Sequence, residues 1–234
     1  MAELQTEMAT VDTALDCLRI VASIMVVIWH SAYEVMKGWP SSFIRAITSQ
    51  YYRTLTYWHT PIYLMISGYY LLDPSRDYPL SKLYLKNIRH LFSVYLFWNC
   101  VYVLQLHYMV GLSYDTLLGW FNGAESRCYY HLWYLPLTIR MYSITPVLRT
   151  VCENIHLCRY YLAVWFLRIV LLPNISELVS SPYVSYTQKF LEPISPYSGY
   201  FVMGYYLGHT TISRAWSIII FSLGIMGCIY TLGM

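Results

Sequence analysis

Charged side chains are scarce in this sequence. Only 12% of its 234 residues are Asp, Glu, Lys or Arg, whereas about a quarter of a typical soluble domain is charged. Hydrophobic residues make up 57% of the chain and aromatic residues 18%, and Tyr and Trp rings favour the headgroup level of a bilayer. We therefore predict a polytopic transmembrane bundle of the all-α class, because open sheet edges cannot lie in lipid.

Basic tracts and a disulfide framework are also missing. The net charge is only +3, and no run of Lys and Arg is dense enough for nucleic acid, so we expect no such partner. The 6 cysteines are scattered through the chain. Cys152, His156 and Cys158 share one short segment, but their spacing matches no standard zinc pattern, and we favour ordinary loop residues over a metal site.

Apolar runs dominate the sequence instead. A helix that spans a membrane needs about 20 mostly apolar residues. Clusters of Pro, Gly and Ser separate the runs, such as GWPSS after the first and DPSRDYP after the second. About seven candidate spans result: 15–36, 52–72, 90–111, 131–147, 160–173, 195–209 and 215–232.

The placement of Lys and Arg predicts the orientation of these spans, because cytoplasmic loops carry the excess of positive charge. The loops that follow the second, fourth and sixth spans hold more Lys and Arg than the loops on the other side. We therefore expect a multi-pass protein of the plasma (inner) membrane. Residues 1–14 would form a cytoplasmic tail and residues 15–234 a single membrane domain.

Within the first span, the apolar run LRIVASIMVVIWH (18–30) contains two ionisable groups. Arg19 and His30 are eleven residues apart, so in a helix they share one face and lie about 16 Å apart along the axis. Asp16 is placed to pair with Arg19, and Glu34 is placed to orient His30. Ionisable groups at membrane depth usually face a pathway or cavity, although Arg19 reaching to the surface and a solvated Glu34 are the simpler alternatives.

Four motifs follow one another along the chain: LDCLRIVASIMVVIWH, TPIYLMISGYYLL, SKLYLKNIRHLFSVYLFWN and HLWYLPLTIRMYSITPVLR. Together they resemble the acyltransferase-3 family of integral membrane O-acyltransferases. The first motif carries the family's arginine, ten intervening residues and histidine. The other three look like the family's second helix, the basic approach to its third helix, and its His-Leu-Trp helix.

The resemblance implies transfer of an acetyl or other acyl group from cytoplasmic acetyl-CoA to a hydroxyl of a cell-envelope saccharide or lipid-linked glycan. Acyl-CoA is a substrate here, and no bound cofactor is expected. Arg19, held by Asp16, and Arg89 would bind the donor's phosphates. His30 would act as the base or carry the acyl group itself, oriented by Glu34.

His131 would line the acceptor side, with an interfacial aromatic belt as the alternative. The family has about ten membrane helices, so we expect this chain to be incomplete at its C-terminus. A transporter of small polar molecules or amino acids, or an inactive fragment, remains an alternative function. Arg140 and Arg168 fall inside predicted spans, and we expect each to be buried against a cavity or a partner.

Overall fold

A computed structural model describes residues 2–37, 42–111, 130–173 and 196–233, and all regular structure within these ranges is helical. The all-α prediction is therefore confirmed for the part of the chain that the structure describes. Residues Lys82–Ile88 and Leu167–Leu171 form π-helical turns, and Tyr130–Trp133 forms a 3-10 turn. The α-helices are α1 (Ala2–Lys37), α2 (Ser42–Thr56), α3 (His59–Leu71), α4 (Arg89–Val110), α5 (Tyr134–Glu153), α6 (Ile155–Phe166), α7 (Ser198–His209) and α8 (Arg214–Gly233).

The first helix is longer than its apolar run. The span predicted over 15–36 is contained in α1, which runs without a break for 36 residues and begins at Ala2. Neither Gly nor Pro occurs inside it, so nothing interrupts its hydrogen-bond ladder. Residues of the predicted tail are therefore helical.

The second predicted span is broken. We predicted one segment over 52–72, but α2 ends at Thr56 and α3 begins at His59. Pro61 explains the break, because proline has no N–H and its ring collides with the carbonyl four residues earlier, that of Tyr57. Local contacts close the corner: the Trp58 indole donates to the carbonyl of Leu55 at 2.7 Å.

The remaining predicted spans each match a helix. The third corresponds to α4, which ends at Val110 and is capped by Gly111, a left-handed residue with φ of 70°. The fourth corresponds to the 3-10 turn and α5, which contains Pro146. The last three correspond to α6 with its π-helical turn, α7 and α8.

The chain divides into two compact units. Residues 74–150 form one of them, in which the Tyr84 hydroxyl donates to the carbonyl of Ser143 at 2.9 Å and joins the π-helical turn to α5. Arg149 also donates to the carbonyl of Arg76 at 2.7 Å. The other unit combines residues 1–73 with 151–234 and thus contains α1, α2, α3, α6, α7 and α8.

The contact between α3 and α7 is the tightest part of the larger unit. A Cβ atom on Gly68 would lie 1.8 Å from the carbonyl oxygen of Phe201, and one on Gly204 would lie 1.9 Å from that of Met65. Two glycines thus let the two backbones touch. Leu64 and Phe201 are fully or almost fully buried beside them.

Apolar side chains are also widely exposed, above all on α8. The described side chains of this helix, 214–230, are all exposed. Trp216 and Phe221 are examples, with 61% and 70% of their surface accessible. Within the residues that the structure describes, no helix combines the length and apolar character needed to cross a membrane.

Candidate functional site

Helix α1 presents Arg19 and His30 on the same stripe. The less exposed residues of this helix recur with helical spacing, and Ala22 and Trp29 are buried. Both Arg19 and His30 belong to this half-buried stripe. Because α1 is unbroken between them, the two groups lie about 16 Å apart along its axis, as the eleven-residue spacing predicts.

The side chain and the backbone carbonyl of Arg19 both make close contacts. Its guanidinium forms the predicted ion pair with Asp16 and lies over the ring of Tyr70, 5.3 Å from the centroid. The Tyr63 hydroxyl lies 3.2 Å from the carbonyl oxygen of Arg19, to which Ser23 also donates at 2.8 Å. Since Tyr63 and Tyr70 both belong to α3, this helix fixes the backbone and the side chain of Arg19.

The His30 end is lined by aromatic rings. Trp29, only 5% exposed, meets the Tyr57 ring edge-on at a centroid distance of 5.3 Å. Tyr57 in turn lies 6.4 Å from the ring of His59, whose Nδ1 contacts the carbonyl of Thr56 at 2.5 Å. A cation is present at this end too, because the Arg53 guanidinium lies over the Tyr57 ring, 5.3 Å from the centroid. The His30 side chain on the same stripe of α1 is half-buried.

Two predicted site residues have side chains that fall outside the described residues. Glu34 belongs to α1 and His131 to the 3-10 turn by their backbones alone. Their roles, an orienting carboxylate and an acceptor-side histidine, stay predictions.

Arg89 lies in the unit formed by residues 74–150. It is exposed and opens α4, directly after the π-helical turn that contains Lys86. Its backbone N–H is shared between the carbonyls of Lys86 and Tyr84. The geometry leaves its side chain accessible to an anion, and donor binding stays a prediction.

The two arginines inside predicted spans differ from each other. Arg140 is exposed on α5, so the expectation that it is buried is wrong in this structure. Its position on the outward side of α5 explains this, because the neighbouring Met141 and Leu137 take the buried side. Arg168 is half-buried in the π-helical turn, and its Nη1 atom is buried with no hydrogen-bond partner among the residues that the structure describes.

One contact between an acidic side chain and a histidine was not predicted from the sequence. Asp73, which follows α3 and is buried, lies with Oδ2 3.3 Å from Nε2 of His209, the last residue of α7. Nδ1 of His209 contacts the carbonyl of Tyr205 at 2.9 Å. The His209 ring stacks on Tyr205 at 4.4 Å and lies 5.5 Å from the ring of Tyr69. No local spacing relates Asp73 to His209, and only the packing of α7 on α3 brings them together.

A pair of thiols joins α5 to α6. Cys152 and Cys158 are both buried, and Asn154 caps the N-terminus of α6 between them. The hydrogen bond between the two thiols raises the pKa of Cys152, to which burial adds, and lowers the pKa of Cys158. Burial opposes the lowering at Cys158, and the charge of Arg159 favours its thiolate. Across the described ranges, no three His, Cys, Asp or Glu side chains are grouped to hold a metal ion.

Comparison with known proteins adds one finding. The family model for acyltransferase-3, described as an acyltransferase domain, matches residues 12–234. The matched range includes all six of the predicted site residues. No curated protein and no solved structure matches the chain significantly.

Proposed function

Because the chain belongs to the acyltransferase-3 family, we propose that it transfers an acetyl group from cytoplasmic acetyl-CoA to a hydroxyl of a cell-envelope saccharide or lipid-linked glycan. Acyltransferase activity in general follows from the family, and the donor and acceptor are the proposed part. The observation that carries the proposal is the half-buried stripe of α1, which holds a cation at one end and an imidazole at the other.

The surface of α8 supports a location in the membrane. A helix that exposes apolar side chains on every side has no polar face to turn toward water. Its exposed residues include Ile218, Phe221 and Ile225, and such a surface is stable only in lipid or against a partner. We therefore propose that the chain is a multi-pass membrane protein with a cytoplasmic N-terminus.

Ring contacts give the relative direction of α1 and α3. Tyr70, near the end of α3, meets Arg19 and Asp12, whereas Tyr57, before the start of α3, meets Trp29. Helices α1 and α3 are therefore antiparallel. Given a cytoplasmic N-terminus, Arg19 lies toward the cytoplasm and His30 deeper in the membrane.

The distance between Arg19 and His30 suits an extended donor. Acetyl-CoA carries its phosphates at one end and its thioester at the other. A guanidinium binds phosphate through charge-assisted, forked hydrogen bonds, so Arg19 would hold the charged end, with Arg89 as a further proposed cation. The thioester could then extend along the stripe toward His30.

At the proposed reacting centre, His30 accepts the proton of the acceptor hydroxyl as its oxygen bonds to the acetyl carbonyl carbon. The bond from that carbon to sulfur breaks, and coenzyme A leaves as the thiolate. Glu34 would orient the imidazole, and His131 would lie on the acceptor side. A transient acyl-histidine is the second route to the same products.

Replacement of His30 by Ala tests the proposal. We expect acetylation of envelope glycan in cells to fall by at least about a hundredfold, the usual contribution of a general base. His156→Ala, at an exposed position of α6, is the matched control. Normal acetylation by a His30→Ala protein expressed at the wild-type level would rule out this role.

A further inference from the structure

We propose that the Asp73–His209 pair is a positioning device for Arg19 and thereby sets the affinity for the phosphate-bearing acyl donor. The inference rests on the proposed function. Asp73 and His209 themselves lie outside the four sequence motifs that resemble the family. His209 is a positioning residue here, because it acts through other side chains.

A continuous series of ring contacts connects the pair to Arg19. His209 lies 5.5 Å from the ring of Tyr69, and Tyr69 meets Tyr70 edge-on at 5.0 Å. The Arg19 guanidinium lies over Tyr70 at 5.3 Å. We call Tyr70, Tyr69 and His209 the aromatic ladder.

Each end of the aromatic ladder is anchored. The Tyr70 hydroxyl donates to Asp12 at 2.6 Å, which ties it to the same helix that carries Arg19. At the other end, both ring nitrogens of His209 contact acceptors: Asp73 at 3.3 Å and the Tyr205 carbonyl at 2.9 Å. The imidazole therefore cannot turn without the loss of at least one of these contacts.

The backbone of α7 leaves room for the middle of the ladder. A Cβ atom on Gly208 would lie 2.2 Å from Cδ2 of Tyr69, so this ring rests directly on the glycine. Tyr69 thus contacts both Gly208 and His209 of α7, and Tyr70 meets the Tyr69 ring edge-on. A shift of the α7 end would move the surface on which the Arg19 guanidinium lies.

The pair links the ends of two helices. Asp73, which follows α3, is buried, and its Oδ2 atom lies 3.3 Å from Nε2 of His209, the last residue of α7. Asp16 also binds Arg19, and a cation held between an aromatic face and a carboxylate has few orientations left. Such preorganisation of the Arg19 side chain increases its affinity for a ligand, because less side-chain conformational entropy is lost on binding.

The test measures equilibrium binding of acetyl-CoA to the full chain in lipid nanodiscs. Four proteins are compared with wild type: His209→Gln, Arg19→Gln, the double variant, and Tyr206→Phe. Tyr206 is the matched control, because it lies in the same last turn of α7 but bonds to Arg159 of α6 at 3.2 Å. Thermal unfolding of each protein is recorded in parallel.

We expect His209→Gln to weaken binding about threefold to tenfold, and the double variant to bind no more weakly than Arg19→Gln alone. Tyr206→Phe should bind as wild type does. If His209→Gln weakens acetyl-CoA binding by the same factor in the wild-type and Arg19→Gln backgrounds, its effect is a general structural one and the inference is overturned. Unchanged binding by His209→Gln would also overturn it. If wild type itself fails to bind acetyl-CoA, the proposed function fails with it.

Where His209→Gln does not fold, Asp73→Asn makes the same comparison, since the amide keeps the size of the side chain and removes its charge. Tyr69→Phe and Tyr69→Leu add a second, independent pair. The phenylalanine variant keeps the ring contact and should bind acetyl-CoA more tightly than the leucine variant, which should resemble His209→Gln. Identical binding by the two Tyr69 variants would contradict the ladder.

Discussion

Glycines of α3 and α7 and glycines of α8 occupy opposite environments within the same unit. Added Cβ atoms at Gly68 and Gly204 would overlap carbonyl oxygens of the facing helix, at 1.8 Å and 1.9 Å. Added Cβ atoms at Gly224 and Gly227 would meet nothing within 4 Å. The same residue type thus marks the tightest helix contact in the unit and one of its most open surfaces.

The difference shows where the geometry of the candidate site is determined. Close backbone packing at Gly68 and Gly204 brings the ends of α3 and α7 together and places Asp73 against His209. Helix α8 contributes no residue to the candidate site, and its apolar surface is directed to its surroundings. We therefore expect substitutions on α3 and α7 to affect folding and function together, and those on α8 to report on the environment.

Gly68→Ala should have the largest effect. The new methyl group would overlap a backbone oxygen, which cannot rotate away as a flexible side chain could, so the helices must separate. We expect a loss of about 3 kcal/mol of unfolding free energy or more. Thermal or denaturant unfolding in detergent would measure it.

Gly224→Ala is the matched control for that substitution. Its methyl group enters open space on a helix, where alanine is preferred over glycine by about 1 kcal/mol. Stability should therefore stay the same or rise slightly. Equal losses at positions 68 and 224 would show that the contact between α3 and α7 is not as close as described.

Cysteine labelling on α8 should show the next largest effect. Cys228 is exposed, and if α8 faces lipid, a membrane-impermeant maleimide cannot reach it in sealed or open vesicles. We expect labelling on the order of tenfold slower than at a cysteine introduced by Arg214→Cys, at the first residue of α8. Labelling should become equal in denaturant, and equal labelling already in vesicles would contradict a lipid-facing α8.

Local spacing accounts for the parts of the site that the sequence predicts. The three-residue separation of Asp16 and Arg19 and the eleven-residue separation of Arg19 and His30 are properties of one helix, and α1 realises both. The apolar runs locate most helices for the same reason. The break before α3 was missed because the apolar pattern continues through Tyr57 and Trp58, although Pro61 is a local signal for it.

Tertiary packing accounts for the parts that the sequence does not predict. Asp73 and His209 lie far apart in the chain, and only the packing of α3 against α7 brings them together. Likewise, the exposure of Arg140 depends on which face of α5 packs inward, and its position in an apolar run does not reveal this. For residues far apart in the chain, sequence spacing does not indicate whether they are in contact.

Gly208→Ala should have a smaller effect than Gly68→Ala, because its methyl group meets a tyrosine ring that can move. We expect a stability loss of about 1 kcal/mol. The displaced Tyr69 ring should also weaken acetyl-CoA binding, and it should do so only while Arg19 is present. Binding titrations in the wild-type and Arg19→Gln backgrounds measure this, and a stability loss with unchanged affinity would separate α7 packing from the position of Arg19.

Removal of one thiol of the pair between α5 and α6 should have the smallest effect. It tests a third contact between helix ends, beside those of α3 and α7. Because the hydrogen bond from Cys152 lowers the pKa of Cys158, its removal in Cys152→Ala should raise that pKa toward its ordinary value. The thiolate of Cys158 would then form only at higher pH, so the midpoint of its alkylation rate against pH should move upward. The midpoint of the alkylation rate against pH is informative even though both thiols are buried. Slow access of the reagent to the thiol lowers the rate by the same factor at every pH and leaves the midpoint unchanged. An unchanged midpoint, or one that moves downward, would mean that Cys152 does not stabilise the Cys158 thiolate.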